Sequence, residues 1–310
     1  MKISVVIPLY NKKETILRAL NSVLSQTVLP YEIIVVNDGS TDGSEQIVAQ
    51  LDHPLIRLVS QSNQGVSAAR NLGIAEARND WIAFLDADDE WLPEFLQTIT
   101  ELFEKYPECS LVATSYYMQD TEGRHERNHL SKIKFKGDHG IIRNYFQVAS
   151  CSHPPIHSSA VAIKKEAIES IDGFPAGVTS GEDLLTWARI AAAYVIAYSV
   201  IPQSVFIQDP AHFYARKPNR IPQKLDIVGR SLVTIARTNK RLPGIRKYIS
   251  HWHKMRSSIY LRLGMKRESF RESIISLSYY LLNFKVISYF FLLGLPTSLT
   301  SKIFRKLASR

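Results

Sequence analysis

The stretch FLDADDEW, residues 84–91, sets Asp86, Asp88 and Asp89 directly against the end of an apolar run. Carboxylates this close repel, and each raises its neighbours' pKa unless positive charge sits among them. Alternate carboxylates at a strand tip suit a hard divalent cation, Mg2+ or Mn2+. Such an ion keeps several waters and takes its other ligands from phosphates. It would bridge the cluster to a diphosphate and neutralise the charge that develops as the diphosphate leaves. The competing reading is a helix start near Pro93, with Asp88 or Asp89 as an acidic cap.

Four short apolar runs precede or carry this chemistry: ISVVI (3–7), EIIVV (32–36), IRLVS (56–60) and WIAFL (81–85). They are β-branched or aromatic and lack clean alternation, as strands covered on both faces do. Helical patterns separate them. Asn11 with Glu14 reads as a capping box ahead of an apolar stripe of Ile16, Leu17, Leu20, Val23 and Leu24. Two further helices follow, in STDGSEQIVAQL and SAARNLGIAEA. Strand alternating with helix predicts a doubly wound, parallel sheet. Beyond residue 92 the pattern predicts a helix (93–105), a strand (110–118), another strand (158–163), helices in KKEAIESI and over 182–193, and a strand (195–201).

In open α/β sheets, ligands bind beyond the carboxyl ends of the strands. The segments there are Pro8-Leu9-Tyr10-Asn11, Asn37-Asp38-Gly39-Ser40, Gln61-Ser62-Asn63-Gln64-Gly65 and Asp86-Ala87-Asp88-Asp89. An isolated Asp-Gly is a common turn filler. Four polar loops in strand register instead define a rim built to hold something.

Hydrophobic residues make up 45% of the 310, enough for a sizeable core. Two cysteines, Cys109 and Cys151, make no disulfide framework and favour a reducing compartment. The N-terminal MKISVVIPLYNKKE breaks at Pro8 too early for a signal peptide and reads as a first strand. Charge is divided unevenly: residues 211–310 hold 21 Lys and Arg against three acids, and residues 1–210 hold 17 against 26. We therefore expect an acidic body, 1–210, and a basic helical extension, 211–310, with different partners.

IPLYNKKETILRALNSVLSQT, VVNDGSTDGS, NQGVSAARNLGI and FLDADDEW, in this order and spacing, closely resemble family-2 glycosyltransferases. These are nucleotide-sugar-dependent enzymes of GT-A fold. The resemblance covers about residues 3–210 and implies a Rossmann-like, mixed but mostly parallel sheet flanked by helices. By that resemblance Pro8 and Tyr10 would line a nucleoside pocket, Asp38 would hydrogen-bond the base, a uracil in a UDP-sugar, and Arg70 would lie near the nucleotide. Asp86 and Asp88 would be the metal and diphosphate motif, with Asp88 the direct ligand. Inverting transfer needs one carboxylate to take the acceptor hydroxyl's proton. The family carries this base in a Glu-Asp pair opening a helix. Here TSGEDLLTWARIA supplies Asp183 as base and Glu182 as a supporting or acceptor-binding group; alone, GED would read as an acidic N-cap. Relatives often place a His or Arg after the next strand, where His212 and Arg216 stand here at irregular spacing.

HERNH, 125–129, formally matches a zinc-protease pattern that works only on a helix with apolar support, and it has little of that. No G-x-G-x-x-G or P-loop is present. In the tail, SIISLSYYLLNFKVISYFFLLGL (273–295) is broken by Asn283 and Lys285, and Ile303, Phe304 and Leu307 oppose a basic face. An in-plane or re-entrant anchor on an anionic membrane fits, and a helical cap on the catalytic domain remains open. Nucleic acid is not an expected partner, since no recognition motif is present. The expectation is an inverting transferase at the cytoplasmic membrane face, in a bacterium the inner membrane. It would act on a saccharide acceptor, lipid-linked, in cell-envelope glycan assembly. An inactive nucleotide-sugar-binding module and a basic nucleic-acid-binding protein are the competing classes.

Overall fold

The computed structural model describes residues 1–208, 218, 220–239 and 241–308, with the side chains of 301 and 304–308 excepted. His212 and Arg216 lie outside the described residues, as do the side chains of Phe304 and Leu307. The chain forms two compact units. One comprises Met1–Tyr145 and Ser152–Ile207, the other Phe146–Cys151 and Gln208–Arg310.

The first unit is a ten-stranded sheet with helices on its faces. The chain runs β1 (Ile3–Leu9), α1 (Ile16–Leu24), β2 (Glu32–Asp38), α2 (Ser44–Gln50), β3 (Ile56–Gln61), α3 (Val66–Glu76), β4 (Trp81–Phe84), β5 (Glu90–Trp91) and α4 (Phe95–Lys105). Then come β6 (Leu111–Gln119), β7 (His125–Arg127), β8 (His139–Ile141), α5 (Tyr145–Ala149), a 3-10 turn (Ser158–Ala160), β9 (Val161–Lys164), α6 (Lys165–Glu169), α7 (Glu182–Ala193) and β10 (Ile196–Ile207). The sheet order is β3-β2-β1-β4-β9-β6-β10-β5, with β7 beside β6 and β8 beside β10. Strands β3, β2, β1 and β4 are mutually parallel, β9 runs against β4 and β6, and β6 and β10 are parallel again.

Every residue of β1 and β2 is buried, polar Ser4, Glu32, Asn37 and Asp38 included, as strands covered on both faces are. β3, expected to be equally covered, is half-buried because it is the outer strand of the order. The capping box predicted at Asn11 and Glu14 does not form. The helix starts at Ile16 after Thr15, with no side-chain cap, and Asn11 adopts a left-handed φ of 51°. Its side-chain Oδ1 accepts the Thr41 N–H at 2.8 Å, so the residue ties two loops together instead of capping. Leu17, counted in the apolar stripe, is exposed, while Ile16, Ala19, Leu20 and Val23 are buried. HERNH contributes β7, an exposed extended strand, which removes the helix a zinc-protease motif needs.

Helix α3 lies so close to β1 that a Cβ on Gly73 would stand 2.3 Å from Val6 Cγ1. Gly73→Ala is therefore expected to destabilise the first unit by about 1–3 kcal/mol, the usual range for overpacking. A urea midpoint equal to the parent's would show that α3 can draw back freely.

The second unit is helical. It holds all of α5 but Tyr145, with α8 (Ile227–Thr238), α9 (Ile245–Leu263), α10 (Lys266–Tyr279), α11 (Phe284–Leu293) and α12 (Thr297–Ala308). Buried serines join α9 to α10: Ser250 Oγ meets Ser276 Oγ at 2.9 Å, and Ser257 Oγ meets Ser273 Oγ at 2.8 Å. The long apolar stretch 273–295 is divided among α10, a turn and α11. No described helix is long and apolar enough to cross a membrane.

Candidate active site

The chain lays β2 and β3 on one side of β1, then returns to place β4 on the other. The carboxyl ends of β1 and β4 thus flank the point where strand order reverses, the place where doubly wound sheets form their crevice. Lys12, just after β1, and Asp88, just after β4, meet across it at 2.5 Å, Nζ to Oδ2. Arg18 of α1 donates to the Asp88 carbonyl at 2.6 Å.

The three aspartates of the opening motif part company. Asp89 is 1% exposed and does not cap α4, whose N-cap residue Glu94 makes no side-chain cap either. Its Oδ2 accepts the Ser159 hydroxyl at 2.5 Å and its Oδ1 the Ile207 N–H at 3.0 Å, joining the β4 loop to β10. Burial, reinforced by the Asp86 and Asp88 charges, pushes its carboxyl well above the usual range. The predicted alternative of an acidic helix cap is thereby excluded for Asp89, because the side chain turns inward.

Asp86 goes to Arg70. The Arg70 Nη2 donates to Asp86 Oδ1 at 2.6 Å, and its Nη1 stands 3.9 Å from Glu182 Oε1. Arg70 is only 3% exposed, lies 5.0 Å over the Phe174 ring, and has no hydrogen-bond partner at Nε or Nη1. Burial alone would raise the Asp86 pKa; Arg70, with His157 behind it, outweighs this and holds it below the usual value. The positive charge demanded by the acidic motif is therefore supplied from within the chain, by Arg70 and Lys12.

Asp88 keeps a different character. Its side chain is half-exposed, one oxygen pairs with the half-exposed Lys12, and the other has no hydrogen bond among the described residues. Oxygen donors with an exchangeable surface partner fit Mg2+ or Mn2+. Asp88 fits such an ion best, with Asp86 committed to a buried arginine.

Gly181, with a left-handed φ of 81°, turns the chain into α7 and sets Glu182 and Asp183 in its first turn. Burial first, and then the Asp183 charge, push Glu182 up to about 7 against the opposing pull of Arg70. Arg70 feels Asp86, Glu182 and Asp183 together, and His157 feels Asp86, Asp183 and Asp88, so these groups form one electrostatic site. His157 itself is packed between Tyr116 and Phe206, with Nδ1 3.8 Å from Asp89 Oδ2, and burial lowers its pKa.

Of the nucleoside residues, Pro8 is buried within β1 opposite Val36, and the Tyr10 ring is exposed just beyond it. Asp38 is buried at the end of β2. It accepts Gln61 Nε2 at 2.7 Å, Gln64 N–H at 2.8 Å and Gly65 N–H at 2.8 Å, and so shapes the loop entering α3. Sequence reasoning does not find Lys12, Arg18, His157 and Ser159. Lys12 and Arg18 sit in a run of ordinary surface residues, and nothing local to His157 or Ser159 announces that they face the β4 loop.

The profile described as "Glycosyl transferase family 2" matches residues 4–171. An uncharacterized glycosyltransferase of Nostoc sp., alr2836, is 48% identical over 107 residues, covering 34% of this chain and 33% of that protein. An uncharacterized glycosyltransferase of Rickettsia bellii is 32% identical over 192 residues, covering 62% of this chain and 26% of its own length. The succinoglycan biosynthesis protein ExoO of Rhizobium meliloti is 40% identical over 100 residues, covering 32% of this chain and 29% of that one. This chain thus spans about a third or less of the curated relatives named here. Among solved structures, S. aureus TarS 1-349 in complex with UDP-GlcNAc superposes with a TM-score of 0.67 at 18% identity, covering 90% of this chain and 81% of that one. That likeness is one of fold, GT-A in kind. With the profile spanning more than half its length across the loops that build the crevice, the chain belongs to glycosyl transferase family 2.

Proposed function

We propose that this chain moves a sugar from a nucleoside diphosphate, a UDP-sugar, to a hydroxyl of a saccharide acceptor, with inversion at the anomeric carbon. The observation that carries the reading is the gathering of Asp86, Glu182 and Asp183 around buried Arg70, beside half-exposed Asp88. The acceptor oxygen forms its bond to the anomeric carbon as the bond to the diphosphate oxygen breaks. Asp183 takes the hydroxyl proton, and Glu182 beside it orients the acceptor. Arg70 holds Asp86 ionised and keeps α3 and α7 in register with the β4 loop. Pro8, Tyr10 and Asp38 form the nucleoside end, with Asp38 reaching the base. Family members commonly use a divalent metal; Asp88, with Asp86 behind it, would hold one here, and its chemistry is to neutralise the departing diphosphate. A panel of nucleotide sugars, scored by nucleoside diphosphate release with a saccharide acceptor, tests the reading. Release from none of them would leave only a binding module.

Asp88→Ala is expected to reduce the Mn2+ stimulation of that release at least about 10-fold. Stimulation equal to the parent's would remove Asp88 as ligand.

The second unit supports a place at the cytoplasmic face of a bacterial membrane, where nucleotide sugars are available, and a lipid-linked acceptor in envelope glycan assembly. Leu281, Phe284 and Phe291 are 77%, 72% and 76% exposed, which is unusual for a helix end and face left in water. No carboxylate side chain occurs after Glu272. Lys254 is pushed down to about 8, by burial first and then by the Lys285 and Lys247 charges, so a cationic cluster borders α11. An apolar face with uncompensated cations suits an in-plane helix on anionic lipid. Replacing Phe284 and Phe291 together by Ser is expected to weaken binding to phosphatidylglycerol vesicles at least about 10-fold, since each buried ring contributes about 1.5–3 kcal/mol. Unchanged co-sedimentation, or loss of a dimer in place of lipid binding, would overturn this placement.

A further inference from the structure

The second unit contains a groove lined by none of the residues assigned above to sugar transfer. Helices α8, α9 and α10 wall a cavity of about 640 Å3, and a further cavity of about 620 Å3 shares Val233, Arg237 and Tyr279 with it. The first cavity has the size of an ordinary small-ligand pocket.

Its floor is a closed ionic network. Arg256 is buried, with Nε 2.9 Å from Glu272 Oε1 and 3.6 Å from Asp226 Oδ2, and its Nη2 donates to the Gln223 carbonyl at 3.1 Å. His253 Nδ1 meets Glu272 Oε2 at 2.6 Å, and Trp252 Nε1 donates to both Asp226 oxygens at 3.1 Å. Asp226, His253 and Glu272 present donor atoms within 4.8 Å of one another, a spacing that could suit a metal. The Arg256 guanidinium already stands in the cation's place between the carboxylates. The network is therefore satisfied, and its two acids are unavailable to anything above them.

The rim is not satisfied. Lys224, Arg230, Arg237 and Arg271 line the first cavity and are exposed, and their side chains carry no hydrogen bond or ion pair to any described residue. The remaining acid in that lining is Glu268. The second cavity adds Arg246 and Lys247 with no acid at all in its lining. Arg230, Thr234 and Arg237 share one face of α8, at the spacing of successive turns, so their convergence is fixed by the helix. A solvated basic face would spread its charges over a convex surface. Here they line a concavity, where a multivalent anion would relieve their mutual repulsion at several points at once. Arginine forks match phosphate oxygens two at a time, and an apolar wall at Val233 and Ile275 leaves room for what the phosphate carries.

We propose that the α8–α9–α10 groove is a second binding site, for a diphosphate group, and that it recognises the phosphate end of the acceptor. The site is assembled from the second unit alone; only its use for an acceptor rests on the transferase reading. The same chemistry could reach it from a lipid headgroup or from free pyrophosphate.

Titration calorimetry on the full chain, without metal and with UDP saturating the first unit, tests the site. Inorganic pyrophosphate is expected to bind the parent. Arg230→Ala combined with Arg237→Ala is expected to weaken it at least about 10-fold, the loss of one to two charge-assisted hydrogen bonds. Arg267→Ala, an exposed cation of α10 outside the groove, is expected to change it less than about 2-fold. Absence of binding, an unaffected double variant, or an equal loss in Arg267→Ala would overturn the site. Phosphatidylcholine vesicles carrying farnesyl diphosphate separate the sources. Binding that falls in the double variant upholds the site as a headgroup receptor. Binding of free pyrophosphate without the vesicles upholds the site and overturns its use for a lipid acceptor. Because donor turnover is measured separately, failure of the groove and failure of the transferase reading give different results.

Discussion

Asp183→Asn is expected to lower kcat for sugar transfer about 100- to 10,000-fold, the range over which a positioned general base contributes, while donor affinity changes little. The amide keeps the size and much of the hydrogen bonding of the carboxylate. It cannot accept the acceptor's proton. Asp183 and Glu182 share the first turn of α7, and the Asp183 charge is one cause of Glu182 lying at about 7. The pH profile therefore adds a second readout. In the parent, the acid limb of kcat/KM should reflect Glu182, pushed up to about 7. Removing the Asp183 charge takes away one upward push on Glu182. The residual activity of Asp183→Asn should accordingly have its acid limb at lower pH. A variant with full turnover, or a limb that moves upward, would assign the base elsewhere.

Arg70→Ala is expected to cost about 3–5 kcal/mol of stability, as breaking one side of a buried ion pair does, and to abolish transfer. The guanidinium is the cation that holds Asp86 below its usual pKa and opposes the rise of Glu182. Without it, Asp86 stands partly buried beside Asp88 with its nearest compensation gone. The acid limb should move up in pH in any residual activity, opposite to the direction for Asp183→Asn. Arg70→Lys keeps the charge but not the fork, so it should recover part of the stability and little of the rate. A urea midpoint unchanged in Arg70→Ala would show that Asp86 and Glu182 are held by something else.

Much of this site is legible in the chain's own pattern. β1, β2 and β4 follow from mainly apolar runs, and α7 is marked at Glu182–Ala193 by Gly181, two acids and an apolar stripe. The elements that escape are short: β5, β7 and β8 have two or three residues each, too few for a period to register. Asn11 and Asp89 mislead for a related reason. Local pattern offers a cap at both, and in each the side chain finds a distant partner, Thr41 for one and Ser159 with Ile207 for the other.

Period, composition and Coulomb's law act over a few residues. From them come the identity of the core strands, the polar character of their carboxyl ends, and the need of an acidic motif for positive charge close by. What supplies that charge is a matter of long-range folding. Arg70 reaches Asp86 from 16 positions away and Lys12 reaches Asp88 from 76. Folding also sets Asp86, Asp88 and Asp89 to three different tasks, because each meets a different partner, Arg70, Lys12 and Ser159, although they lie within four positions of chain. In the second unit, 21 cations against three acids after residue 210 are visible in the sequence. That Arg256 consumes two of those acids and leaves the rim uncompensated follows from how α8, α9 and α10 pack, and packing is not written in any one stretch of chain.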